Sequence, residues 1–192
     1  MSELQRIFET EARAMVHREG LEDALDFLHN SDFYIAPAST RFHGCYEGGL
    51  VEHSLSVYKW GFNILRGLDF TGAELEINPE SLAIVTLFHD ICKIGVYSVD
   101  YRNNKNDQTG KWEKVPYYKM QDDSGYGGHG VKSAIMLAQY MPLYPEESIA
   151  IVHHMGAWDK STYGDPGKAY EKFHLAWLLH VADEAASYIG KA

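Results

Sequence analysis

Apolar residues recur at helical spacing along most of this chain. Leu4, Ile7, Phe8, Ala12 and Met15 share one face of a helix predicted over residues 2–18, and Gly20 supplies its stop. Leu21, Ala24, Leu25 and Leu28 predict a short second helix over 21–29. Residues 30–49 lose the period and carry Pro37, Gly44, Gly48 and Gly49, so they read as irregular. The period returns from about 50 to 66 through Leu50, Val51, Leu55, Tyr58, Phe62 and Leu65, and a further helix follows Pro79 over about 80–93. Later helices are predicted over about 130–141, 145–154 and 169–189, with a loop at 157–168.

One stretch departs from this pattern. Val96–Arg102 and Trp112–Met120 are β-prone, and the turn-rich segment Asn103–Lys111 joins them, so a β-hairpin insertion is expected over about 96–120. The expected fold is therefore all-α, a helical bundle with one small hairpin. At 192 residues the chain is long enough for one domain, read as an N-terminal helical extension (1–42) and a core (43–189).

The formal net charge of −10 argues against a dedicated duplex-DNA binder. Between 93 and 119, however, six basic residues meet three acidic ones, a local positive patch suited to a small anionic substrate. Cys45 and Cys92 build no disulfide scaffold or CxxC zinc site. No signal-peptide pattern or membrane-length apolar run is present, and a cytoplasmic setting is expected. The glycine-rich Ser124–Gly130 is not a nucleotide fingerprint.

The chemistry concentrates in a few polar groups on apolar helices. His89 and Asp90 lie near the end of the run Leu82–Lys93, and His53, His129, His153, His154 and Asp183 also sit on helix-like segments. Burying an unpartnered imidazole or carboxylate is expensive. Each has an ordinary alternative: a core histidine for His53, a segment end for His129, a helix-dipole contact for His153 and His154, and a pairing with His180 for Asp183. So many together instead predict one metal site assembled from five helices. Mixed imidazole and carboxylate ligands suit a divalent transition metal, iron or manganese first, with Mg, Ni, Co or Zn also open.

With these residues in place, the chain resembles the HD superfamily of metal-dependent phosphohydrolases. Tyr46–Val57 is similar to the first-ligand segment of the branch that includes bacterial 3′–5′ exoribonucleases, and Leu87–Lys93 to the HDxxK segment, with Cys92 where glycine is common. Gly128-His129, His153–Gly156 and Leu179–Asp183 match later motifs of binuclear members. The resemblance implies two ions. His53, His89, Asp90 and Asp183 would hold the first, and Asp90, His129 and His153 the second, with His154 beside them. Lys93 would face the phosphate.

The implied activity is hydrolysis of a phosphomono- or phosphodiester, in a nucleotide or short single-stranded oligonucleotide, by water activated on metal. Asp90, Lys93 and His154 are the expected catalytic residues, with His154 or His43 protonating the leaving oxygen. Lys93, His43, Arg102 and Tyr126 are the expected substrate contacts, and the hairpin aromatics offer stacking surfaces. The same ligand set also resembles HD-type di-iron oxygenases, and a non-catalytic ligand-sensing module is a third possibility.

Overall fold

The computed structural model describes the chain except residues 74, 122–123, 161–163 and 190–192. Eight helices are present among the described residues: α1 Glu3–Met15, α2 Leu21–His29, α3 Gly49–Asp69, α4 Pro79–Phe88, α5 His129–Leu137, α6 Pro145–His153, α7 Pro166–Lys172 and α8 His174–Tyr188. One antiparallel hairpin joins them, β1 Tyr97–Lys105 with β2 Trp112–Met120, in the register Tyr97 opposite Met120 and Lys105 opposite Trp112. The all-α expectation with a hairpin at about 96–120 therefore holds.

Local chemistry explains the element ends. Ser2 caps α1 through its hydroxyl, Asn78 caps α4 ahead of Pro79, and Asp165 caps α7 ahead of Pro166. Gly49 starts α3 where the chain crosses itself: a Cβ there would lie 2.0 Å from the Gly44 carbonyl oxygen.

The helices expected over 2–18 and 130–141 end early, at Met15 and Leu137, and two others depart further from their apolar patterns. The one expected over 80–93 stops at Phe88, and a separate 3₁₀ turn, Ile91–Lys93, follows Asp90. The one expected over 169–189 is two helices, divided at the extended residue Phe173.

At the centre lies α4, with every residue from Ser81 to Phe88 buried. Helices α3, α6 and α8 pack around it, and α1 covers another side. A continuous apolar cluster runs from Phe8 in α1 through Leu25, Leu50, Ile84 and Ile151 to Leu179 in α8. The N-terminal helices thus share the core with the later ones. The hairpin stands off this body, and Val99, Tyr101 and Trp112 are exposed. No described helix is long and apolar enough to cross a membrane.

Candidate metal centre

The termination of α4 at Phe88 builds the site. His89 is still helical, but Asp90 leaves the helix at φ −112°, ψ 16°, so two adjacent residues can point to one place. On a continuous helix they would diverge by about 100°. Residue His53 arrives from the first turns of α3, His154 from the end of α6 and Asp183 from the middle of α8. All five side chains are buried.

Their polar atoms converge. His53 Nε2 lies 3.0 Å from Asp183 Oδ1 and 3.4 Å from His89 Nε2. Asp90 Oδ2 is 3.5 Å from His89 Nε2 and 3.6 Å from His53 Nε2, while Asp90 Oδ1 is 3.6 Å from His154 Nε2. Two groups able to hold a metal result, His53–His89–Asp183 and His89–Asp90–His154, and they share His89.

Backbone carbonyls set the direction of two rings. His89 Nδ1 is 3.0 Å from the Thr86 oxygen, and His154 Nδ1 is 2.7 Å from the Ile151 oxygen. A carbonyl only accepts, so each Nδ1 carries a proton, and on a neutral ring Nε2 then presents its lone pair to the cluster. That is the ligand tautomer, fixed by an outer hydrogen bond. Two atoms of the cluster, Asp90 Oδ1 and His154 Nε2, are buried without a hydrogen-bond partner. Orphaned buried atoms of this kind are uncommon and call for an explanation. A cation between them supplies one, so the residues present fit a divalent metal.

The charges agree. Burial alone would raise the Asp90 carboxyl, but Lys93 and His89 hold it well below the usual carboxylate range. Burial likewise opposes ionisation of Asp183, and the hydrogen bond from His53 together with the charges of His53, His89 and His154 outweighs it. Lys93 Nζ donates to Asp90 Oδ2 at 2.6 Å. Although burial disfavours its charge, Asp90 keeps the ammonium protonated above its ordinary range.

The other expected residues take different places. His153 does not enter either group; its ring lies against Gly164, and burial lowers its pKa. Of the neighbouring pair, His154 is the one whose ring reaches Asp90. His129 opens α5, where its backbone N–H donates to Asp159 and its Nδ1 lies 3.9 Å from Cys92 Sγ, and it too stands outside both groups. The Arg102 guanidinium stacks over Tyr117, and Tyr126 carries Lys132 Nζ over its ring.

His43 faces the cluster, its ring centroid 4.8 Å from that of His53 and its Nε2 3.4 Å from Ser187 Oγ. Burial, then the charges of His53 and Lys93, push its pKa down to about 4. Together with His53 it borders a cleft of about 570 Å³, walled by Arg41, Phe42, Tyr46 and Lys59 and backed by α1. Sequence reasoning passed over Arg41, Phe42 and Lys59. Arg41 and Phe42 lie in the irregular 30–49 segment, where no periodicity marks a direction, and Lys59 is an exposed residue of α3 that the apolar period leaves unmarked.

The chain belongs to the HD domain family, whose model matches residues 50–187. It is 28% identical over 160 residues to the dihydroneopterin 2′,3′-cyclic phosphate phosphodiesterase of Methanocaldococcus jannaschii, an alignment covering 80% of this chain. The chain spans about half, 52%, of that relative's length. No solved structure matches it significantly.

Proposed function

We propose that this protein is a metal-dependent phosphohydrolase that cleaves a phosphodiester in a nucleotide-sized substrate. The observation that carries the reading is the shared-His89 pair of buried ligand groups, with Lys93 beside it. The family and the phosphodiesterase relative support it. His53, His89 and Asp183 would hold one divalent ion, and Asp90 and His154, with His89 beside them, a second. Iron or manganese suits this donor set best. Such ions lower the pKa of water toward neutrality and neutralise charge on phosphoryl oxygens.

The protein's own groups do the rest. Lys93 is the nearest fixed cation that a phosphoryl oxygen could meet, and it is already charged and oriented by Asp90. The leaving group would point into the cleft, where His43 can hydrogen-bond its oxygen and Phe42 and Tyr46 offer flat faces for a base. Arg41 and Lys59 add positive charge at that mouth. In this arrangement His154 serves as a ligand, and the outlying His129, His153, Arg102 and Tyr126 act on substrate only if it extends beyond the cleft.

The test is a panel of 2′,3′-cyclic nucleotides, dihydroneopterin 2′,3′-cyclic phosphate, linear dinucleotides and phosphomonoesters, assayed with Mn²⁺ or Fe²⁺ in air and under anaerobic conditions. Phosphodiester cleavage that persists without dioxygen and disappears in Asp90→Asn is the expected result. Turnover that needs dioxygen would establish the oxygenase alternative instead.

A further inference from the structure

The turn that carries His154 is held in place by two rings that are not themselves ligands. The His153 carbonyl accepts from the Tyr170 hydroxyl at 3.0 Å, and the His154 carbonyl accepts from His180 Nδ1 at 2.7 Å. The Tyr170 and His180 rings stack on one another, centroids 5.2 Å apart and planes 18° from parallel. Gly156 presses against this stack at φ +56°; a Cβ there would lie 2.8 Å from His180 Cε1 and 3.0 Å from the Tyr170 oxygen. Three features thus fix one turn: two hydrogen bonds to consecutive carbonyls, a ring stack and a glycine that admits it.

His180 also stands one turn before Asp183 on α8. The same helix therefore directs Asp183 to His53 in one ligand group and clamps the backbone of His154 in the other. We infer that His180, with Tyr170, is a positioning residue that sets the spacing between the two metal positions. Through α8 it holds His154 at a fixed distance from Asp183. This inference rests on the reading of the two groups as metal ligands. It adds that the second group depends on the clamp and the first does not.

The two contributions of His180 are separable by substitution. His180→Phe keeps a ring on Tyr170 and removes the N–H donor. His180→Asn places an amide N–H where Nδ1 stood and removes the ring. The full-length protein, stripped of metal, would be titrated with Mn²⁺ by calorimetry, with electron paramagnetic resonance reporting coupling between paired ions. Wild type is expected to take two equivalents. His180→Phe should retain one and weaken the other by about 10–100-fold, the range for losing an outer partner of a ligand, with the coupling signal lost. His180→Asn should restore the weakened equivalent, which a residue needed only for packing would not do.

Tyr170→Phe and Gly156→Ala disturb the same turn and should weaken the same equivalent, so the test survives a misfolded His180→Phe. An unaltered second equivalent in the Phe variants overturns the inference, as does a wild type that binds a single ion. A protein that binds two ions as described and hydrolyses no phosphate ester would overturn the proposed function and leave this inference standing.

Discussion

Neighbouring residues with the same side chain part company here. His153 and His154 are adjacent imidazoles at the end of α6, but only His154 points Nε2 at Asp90. A pattern of residue types does not distinguish them, because which neighbour faces inward depends on where the helix stops. His154→Gln should therefore lower Mn²⁺ affinity by about 100-fold, and His153→Gln by much less, with calorimetry on the metal-free protein as the check. Lys93→Ala removes the fixed charge beside Asp90. It should reduce kcat by about 10²–10³-fold, the scale for one electrostatic donor to a developing charge, while metal content is kept. Lost metal in that variant would make Lys93 a support for Asp90 and not a contact to phosphate.

Among the elements, legibility followed contrast between polar and apolar positions. The short helix over 21–29 matches α2 end to end, because a buried face alternates with an exposed one and Gly20 precedes it. Helix α4 has no such contrast: all positions from Ser81 to Phe88 are buried, so nothing in the apolar run signals the stop before His89. The division of α7 from α8 falls at Phe173, where neither glycine nor proline announces it. Of the candidate site, His53, His89, Asp90 and Asp183 were legible as polar groups on apolar helices. Of the cleft, His43 was legible as a candidate substrate contact, while Arg41, Phe42 and Lys59 were not.

The α1–α2 pairing is polar at its rim. Glu9 accepts from Gln5 and pairs with Arg13, which also holds Glu22 across to α2. Burial opposes ionisation of Glu9, but Gln5 and Arg13 hold its pKa below the ordinary value of 4.5. A depressed folded value contributes stability that is present above the unfolded pKa and disappears as pH falls through the folded one. Thermal melts between pH 6 and 3 should thus show a steeper acid loss for wild type than for Glu9→Gln.

Across the whole molecule, the family match begins at residue 50, but the fold does not. Arg18, just after α1, reaches Glu147 at the start of α6 and Glu80 at the start of α4, and the Glu147 carboxylate, fully buried, also accepts from Ser81. Arg18→Met would strand that carboxylate and should destabilise the protein by about 3–5 kcal/mol, measured by urea unfolding.

At the opposite extreme stands the hairpin. Its ends meet where the Gln121 N–H donates to the Val96 carbonyl at 2.9 Å, so the chain leaves the body and returns at nearly one point. Replacing residues 98–119 with a tight turn should shift the melting temperature by no more than about 2–4 °C, equivalent to roughly 1 kcal/mol at this size. Such an appendage can be lengthened, recharged or exchanged while the buried imidazoles and carboxylates stay where they are. Descendants of this scaffold are free to vary that outlying ribbon without disturbing the buried cluster.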